Sequence, residues 1–254
     1  MTMFDLTGKT AIVTGGNGGI GFAMAAALAE AGAALALVAR DAGKGEKAAD
    51  MLCSRGSDAA FYAADVTDET SVRMTVDAVA TRFGSVDILI NNAGIAIRKR
   101  PEDYSLVEWH KVLDTNLTSA FLMCHAVYPH MREAGGGKIV NIGSIMSHLA
   151  APFTVAYSAS KGGLVQMTKA LATAWATDNI QVNAILPGWI ETDLTVAARA
   201  QVDGLHDNVM RRTPAKRWGA PEDFKGPVVF LSSSASNFVT GTQLLVDGGY
   251  SALA

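Results

Sequence analysis

The sequence is poor in cysteine, in charge and in basic clusters, and each shortage excludes a class of protein. Two cysteines among 254 residues are too few for a disulfide framework and lack the spacing of a metal site. The five histidines are scattered, so no metal is expected. With 21 basic and 24 acidic residues the formal net charge is −3, and no basic run is longer than Arg98–Arg100. Nucleic acid is therefore not an expected partner.

The sequence also lacks a long apolar run. The most apolar window, residues 22–39, is interrupted by Glu30 and Gly32, which favours a helix, a turn and a strand over a membrane span. The first residues show no cationic start followed by an apolar stretch and a small-residue cleavage site. We therefore expect a cytoplasmic protein with no membrane partner.

The sequence is rich in apolar residues, and short apolar runs alternate along it with longer segments of helical spacing. Apolar residues make up 49% and charged residues 18%, which predicts a folded chain with a large core. Strand candidates lie at 11–13, 35–38, 59–61, 88–90, 139–140, 182–185 and 244–246, and helical spacing is found over 21–31, 72–83, 117–132 and 164–176. Strands that alternate with helices predict a Rossmann-type, doubly wound parallel α/β sheet of about seven strands, with helices on both faces.

No linker or internal repeat interrupts this order, so residues 1–254 are expected to form a single domain. The segment 187–214 breaks the rhythm because it is long, mixed and partly charged. In an open α/β sheet, a segment that follows the carboxyl end of a strand lies beside the ligand crevice. We interpret 187–214 as a substrate lid, and an ordinary surface helical hairpin is the alternative.

The first strand candidate runs directly into a glycine-rich segment, residues 14–21, which a helical segment follows. This order places the N–H groups of a helix N-terminus against a pyrophosphate, so it predicts a dinucleotide site, with a mere tight turn as the alternative. Two registers of the motif fit, GxGxxG from Gly16 and TGxxxGxG from Thr14. Because the apolar strand ends at Val13, we favour the second, in which Gly15, Gly19 and Gly21 are essential. The predicted cofactor contacts in this loop are Gly15, Asn17, Gly19 and Ile20.

The end of the second strand indicates which dinucleotide binds. An acidic residue there accepts hydrogen bonds from the adenosine ribose, whereas an arginine accommodates a 2′-phosphate. Here Ala39 ends the strand and Arg40 follows it, which favours NADP(H). Asp41 keeps NAD(H) open, and a solvated Arg40–Asp41 pair without a ligand is a further alternative.

Tyr157 and Lys161 are the candidate catalytic pair. If they share a helix, their spacing of four places them on one face. A tyrosine with an ordinary pKa of about 10 is a poor acid or base at neutral pH, and a nearby ammonium lowers that pKa. The pair alone is common by chance on exposed helix faces, so its weight depends on the other motifs.

Together the motifs resemble the short-chain dehydrogenase/reductase family, over essentially the whole chain and in the family's order. The matching segments are Thr14–Gly21, Asn91–Gly94, Asn116, Ser144, Tyr157–Lys161, Pro187–Gly188 and Val246–Gly249. The resemblance implies an oxidoreductase that uses NAD(P) to interconvert a secondary alcohol and a ketone. It also implies a homotetramer.

The resemblance implies a role for each matching residue. Tyr157 is the general acid and base, Ser144 hydrogen-bonds the substrate oxygen, and Lys161 lowers the pKa of the tyrosine and holds the nicotinamide ribose. Asn116 supports a proton-relay water. The further implied cofactor contacts are Asp65 and Val66 for the adenine, Asn92 and Gly94 for the cleft, and Pro187, Gly188, Ile190 and Thr192 for the nicotinamide. The sequence departs from many NADP-using members at Gly18, where they carry a second basic residue.

Two stretches, 91–99 and 212–231, resemble the sugar-acid enzymes of that family, gluconate 5-dehydrogenase and 2-dehydro-3-deoxygluconate dehydrogenase. A carboxylate substrate would benefit from a cation, and Arg98 or Lys99 can supply it, unless both belong to a solvated loop. His148 is a further candidate substrate contact. The rival activities are a 3-oxoacyl-carrier-protein reductase and a broad carbonyl reductase, and a dinucleotide-binding regulator without catalysis is the alternative from another class.

Overall fold

A computed structural model describes residues 2–253, and its centre is a seven-stranded sheet. The strands are β1 (Thr10–Thr14), β2 (Ala34–Ala39), β3 (Ala59–Ala63), β4 (Ile88–Asn91), β5 (Gly137–Ile142), β6 (Ile180–Pro187) and β7 (Gln243–Val246). They pair in parallel in the order β3-β2-β1-β4-β5-β6-β7. The order reverses at β1, so the predicted doubly wound parallel sheet is confirmed.

Helices connect successive strands. They are α1 (Gly19–Glu30), α2 (Ala42–Cys53), α3 (Glu69–Phe83), α4 (Leu106–Leu113), α5 (Ser119–Glu133), α6 (Val155–Trp175), α7 (Asp193–Gln201), α8 (Leu205–Arg212) and α9 (Lys225–Ser232). Within residues 2–253, none of them combines the length and apolarity needed to cross a bilayer. Helix α6 begins well before the predicted start at 164, because the polar residues of its first two turns hide the apolar pattern.

Side chains alternate across the sheet and fill a core on each face. Within β1, Ala11 and Val13 pack in the cluster that holds the apolar residues of α1, α2 and α9. Ile12, between them, packs with α3 and α5 in a second cluster. This alternation is the period of two expected of a strand, and it explains why both faces of the sheet need helical cover.

The segment that follows β6 carries α7 and α8 and has a small apolar cluster of its own around Trp218. The Arg199 guanidinium lies 4.3 Å from the centre of the Trp218 ring and forms an ion pair with Glu191. Arg199 thus connects α7 both to Glu191, which precedes the helix, and to Trp218, which follows α8. Residues of α7 line the cavity described next.

Candidate active site

A cavity of about 770 Å³ lies at the carboxyl ends of the central strands, where the strand order reverses. Ligand crevices of open α/β sheets are found at this position. Many of the residues predicted from sequence line it together: Asn17, Gly19, Ile20, Asn92, Gly94, Ser144, Tyr157, Lys161, Pro187, Gly188, Ile190 and Thr192. Sequence positions up to 175 apart therefore meet in one cavity.

The glycine-rich loop after β1 is folded tightly on itself. A Cβ placed on Gly21 would lie 2.2 Å from the Gly15 carbonyl oxygen, so no other residue fits there without moving the loop. The Asn92 side-chain amide donates to the carbonyl oxygens of Thr14 (3.1 Å) and Gly15 (3.2 Å). Asn92 thus braces the loop from the neighbouring strand.

The first turn of α1 opens into the cavity. Its N-cap is Gly18, and no side chain of residues 2–253 caps it. The first N–H groups of a helix have no partner within the helix and carry its positive partial charge. Gly19, Ile20 and Gly21 line the cavity, so this turn fits an anionic group such as a pyrophosphate.

The predicted adenosine contacts lie beyond the ends of β2 and β3. Arg40 and Asp65 are exposed, and Val66 is buried. Hydrogen bonds from the Thr67 hydroxyl and N–H lower the pKa of Asp65, and the Arg40 charge lowers it further. Arg40 and Asp65 form no ion pair within residues 2–253, and neither is among the residues that line the cavity.

Lys44, in the first turn of α2, lines the cavity and was not predicted. An exposed lysine in a helix resembles any solvated residue, so composition and periodicity do not single it out. The only sequence signal for Lys44 is that it follows shortly after β2, the strand whose end distinguishes NAD from NADP.

Ser144 and Tyr157 come from different segments that meet at the cavity wall. Ser144 is the N-cap of a short 3₁₀ turn after β5, and its hydroxyl accepts the Met146 N–H at 3.1 Å. Tyr157 and Lys161 share α6, which meets the condition for placing them on one face of a helix. Burial raises the pKa of Tyr157, while a hydrogen bond with Ser144 and the Arg98 charge act in the opposite direction.

Lys161 is almost fully buried, with 4% of its surface exposed. Its Nζ donates to the Ile142 carbonyl oxygen at 2.6 Å and lies 5.8 Å from the centre of the Tyr157 ring. Burial lowers the pKa of Lys161 to about 8. In this arrangement the cation that lowers the pKa of Tyr157 is Arg98, and the predicted effect of Lys161 stays a prediction.

Asn116 lies in a single π-helical turn between α4 and α5 and is buried. Its amide donates to the Ile95 carbonyl oxygen (2.9 Å) and to the Ser160 hydroxyl (3.0 Å), and its Oδ1 accepts the Ile95 N–H (2.8 Å). These bonds fix the loop after β4 against α6. Its predicted support of a proton-relay water stays a prediction.

The two candidate carboxylate ligands have different surroundings. Lys99 forms an ion pair with Glu108, whose carboxylate also caps α4 through Ser105. Arg98 donates to the Leu194 carbonyl oxygen of α7 at 3.2 Å and forms no ion pair with any carboxylate in the range 2–253. Arg98 thus has no carboxylate partner within residues 2–253, and its charge acts on Tyr157, although it is not among the residues that line the cavity.

His148 is exposed and ends the 3₁₀ turn that starts at Ser144. It is not among the residues that line the cavity. Its role as a substrate contact stays a prediction. The described part of the chain, 2–253, holds no group of three His, Cys, Asp or Glu side chains placed to bind a metal ion.

Comparisons with known proteins agree with this geometry. A family model described as "Enoyl-(Acyl carrier protein) reductase" matches residues 15–251. Gluconate 5-dehydrogenase of Gluconobacter oxydans is 41% identical over 97% of this chain and 96% of that protein. The 2-dehydro-3-deoxy-D-gluconate 5-dehydrogenase of Formosa agariphila is 40% identical over 97% and 94%. The crystal structure of a gluconate 5-dehydrogenase from Burkholderia cenocepacia J2315, in complex with NADP and tartrate, has a TM-score of 0.95 and 38% identity over 99% of this chain and 98% of that one.

Proposed function

The chain belongs to the short-chain dehydrogenase/reductase family, and we propose that it is an NADP(H)-linked enzyme that interconverts the alcohol and ketone forms of a sugar acid. The family and its NAD(P)-dependent oxidoreductase chemistry follow from similarity over nearly the whole chain. The sugar acid is supported by one observation above all: Arg98 forms no ion pair within residues 2–253, and its charge acts to lower the pKa of Tyr157.

The residues present fit a dinucleotide. The uncapped first turn of α1 offers N–H groups to a pyrophosphate, and Arg40 offers a cation to a 2′-phosphate. Ala39 places no carboxylate at the end of β2 to repel that phosphate. The nicotinamide ring of a bound cofactor would accept the hydride in alcohol oxidation and donate it in ketone reduction. The chain's own residues handle the proton and the substrate.

Tyr157 is the proposed proton carrier. When a ketone is reduced, the Tyr157 hydroxyl donates a proton to the substrate carbonyl oxygen. When an alcohol is oxidised, the Tyr157 phenolate accepts the proton of the substrate hydroxyl. Burial raises the pKa of Tyr157, so the donor form is present at neutral pH. We assign to Ser144, which lines the same cavity, a hydrogen bond to the same substrate oxygen, and to Lys161, whose Nζ lies 5.8 Å from the centre of the Tyr157 ring, a positive charge near that ring.

Arg98 is the proposed ligand of the substrate carboxylate. A guanidinium binds a carboxylate through two parallel hydrogen bonds, and such charge-assisted bonds are about twice as strong as neutral ones. Arg98 is half-buried and burial lowers its pKa, which shows that its charge is held without full hydration. An incoming carboxylate would compensate that lost hydration. Tartrate, the acid named with the Burkholderia enzyme, is a hydroxy acid of this chemical class.

We further propose that the segment 187–214 covers the bound substrate. Leu194 and its neighbours on α7 line the cavity, and Arg98 already donates to the Leu194 carbonyl oxygen. A substrate held by Arg98 would therefore lie directly beneath α7. The homotetramer, the single-domain organisation and the cytoplasmic location stay predictions.

A ketone panel tests the proposal. The purified protein is given NADPH with 5-keto-D-gluconate, with the methyl ester of that acid and with a 3-oxoacyl thioester. We expect the free acid to exceed its ester in kcat/KM by about tenfold or more, because the ester cannot accept two charge-assisted bonds. A thioester that is turned over best would favour the 3-oxoacyl-carrier-protein reductase. Dinucleotide binding without turnover of any ketone would favour the regulator.

A further inference from the structure

Lys44 lines the same cavity as the catalytic residues but comes from α2, the helix that follows β2. The cavity passes from Pro187, at the end of β6, to Lys44, which follows β2. The strand order β2-β1-β4-β5-β6 puts four interstrand steps between these ends. At about 4.8 Å a step, the ends of β2 and β6 are roughly 19 Å apart across the sheet, and the end of β2 is where the adenosine ribose binds in dinucleotide folds. Lys44 therefore lies where the adenosine half would bind.

The position of Lys44 is fixed by its neighbours in sequence. The Asp41 carboxylate caps α2 by accepting the Lys44 N–H at 3.0 Å. Gly45 is pressed against Phe61 of β3, where a Cβ would lie 2.0 Å from the ring. Because Gly45 faces the sheet, the rotation of α2 is set, and Lys44 borders the cavity on the exposed side of the helix.

The glycine-rich loop that borders the cavity contributes no positive charge for a 2′-phosphate. The position before the middle glycine, Gly18, carries none, and a Cβ built there meets nothing within 4 Å. Arg40, which follows β2, is not among the residues that line the cavity, whereas Lys44 is. Lys44 takes part in no ion pair formed by the chain from 2 to 253, so its ammonium is available.

We propose that Lys44 is the second cation that binds the 2′-phosphate of NADP(H). It supplies from α2 the charge that Gly18 does not supply from the loop. The inference rests on the proposed preference for NADP(H), and it adds a residue that decides how strong the preference is. The Lys44 ammonium is a point charge on a flexible side chain, so it can donate to a phosphate oxygen that the planar Arg40 guanidinium leaves free.

Equilibrium binding of two cofactor fragments tests this without catalysis. Calorimetry measures the Kd of adenosine 2′,5′-bisphosphate and of 5′-AMP, which differ only in the 2′-phosphate. We expect Lys44→Ala to weaken the bisphosphate about tenfold and AMP less than twofold, since a single charge-assisted contact at an exposed site is removed. Lys47→Ala is the matched control, because Lys47 is an exposed lysine of the same helix that does not line the cavity.

Each outcome separates the inference from the proposed function. If the wild type binds the bisphosphate no better than AMP, the preference for NADP(H) itself is wrong. If the wild type prefers the bisphosphate and Lys44→Ala keeps that preference, Lys44 is not the second cation and the proposed function stands. If Lys44→Ala weakens both fragments equally, or no more than Lys47→Ala does, the assignment to the 2′-phosphate is overturned.

Discussion

The Ser147 hydroxyl donates a hydrogen bond of 2.9 Å to the backbone carbonyl oxygen of Lys161. The same Ser147 oxygen accepts the Ser144 N–H at 3.3 Å. One side chain thus joins the turn that carries Ser144 to the helix that carries Tyr157 and Lys161. Ser147 itself does not line the cavity, so we regard it as a positioning residue.

Removal of this link should lower kcat more than it changes KM. Ser147→Ala deletes one hydrogen bond, worth about 1 kcal/mol, and loosens the relation between Ser144 and Tyr157. We expect kcat to fall about fivefold with the KM for cofactor nearly unchanged, and Ser147→Thr to restore most of the rate. Thr173→Ala is the control, since it removes a hydroxyl bonded to helix carbonyls on the exposed side of α6. Equal effects of the two variants would contradict the positioning role.

Tyr157→Phe should abolish turnover and leave cofactor binding nearly intact. General acid/base catalysis contributes about 10²–10⁴-fold, and here proton transfer accompanies hydride transfer. Because the pKa of Tyr157 is raised, alcohol oxidation by the wild type should increase with pH as the phenolate forms. The measurements are kcat in both directions against pH and the Kd of NADPH. A variant that keeps a tenth of the wild-type rate would remove Tyr157 from the mechanism.

Ala39→Asp should move the cofactor preference from NADP towards NAD. A carboxylate at the end of β2 would repel the 2′-phosphate and offer the ribose hydroxyls of NAD an acceptor. Arg40 and Lys44 stay in place, so some affinity for NADP should remain. The measurement is kcat/KM for both cofactors in wild type and variant. A wild type that prefers NAD, or a variant whose preference does not move, would show that the end of β2 has another role.

The fold was readable from sequence because the strands of a parallel sheet are buried on both faces. Such strands are short continuous apolar runs, and the runs at 11–13 and 88–90 fall inside β1 and β4. The start of α6 could not be predicted from apolar spacing, because Tyr157, Ser160 and Lys161 make its first turns polar.

The sequence predicted those site residues whose relative positions a local motif fixes. It did not predict roles that depend on which residues become neighbours in the folded chain. The glycine-rich loop and the Tyr157–Lys161 spacing carry their own geometry. Arg98 and Lys99 are adjacent in sequence, and only the folded chain shows that Lys99 forms an ion pair with Glu108. Lys44 is marked in the sequence only by its place shortly after β2, and its position at the cavity depends on how α2 packs. The link from Ser147 depends on how α6 packs.

Asp87 should make the stability depend on acid pH. Its buried carboxylate accepts bonds from Lys9 Nζ (2.8 Å), the Thr10 N–H (3.0 Å) and the Ser85 hydroxyl (2.6 Å). Burial alone would raise the pKa of Asp87, but these donors lower it below the ordinary value. A depressed folded pKa gives stability that is complete above the unfolded pKa of about 3.9 and is lost as pH falls through the folded pKa.

Asp87→Asn should therefore cost about 1–3 kcal/mol of unfolding free energy at pH 7 and flatten the fall in Tm below about pH 4. Asp58→Asn is the control, because its ion pair with Arg82 is exposed and such pairs contribute about 1 kcal/mol or less. Denaturant unfolding at pH 7 and Tm against pH provide both numbers. The explanation fails if Asp87→Asn has the acid dependence of the wild type.

The central claim, that Arg98 holds a substrate carboxylate beside Tyr157, is tested by two adjacent substitutions. Arg98→Gln and Lys99→Gln are compared in kcat/KM for 5-keto-D-gluconate and for its methyl ester. We predict that Arg98→Gln lowers kcat/KM for the acid about ten- to a hundredfold and spares the ester, since charge-assisted bonds contribute about 1.5–3 kcal/mol. Lys99→Gln should leave the ratio of acid to ester unchanged, because Lys99 is paired with Glu108. Equal losses for acid and ester in Arg98→Gln, or a larger loss of the acid in Lys99→Gln, would contradict the account.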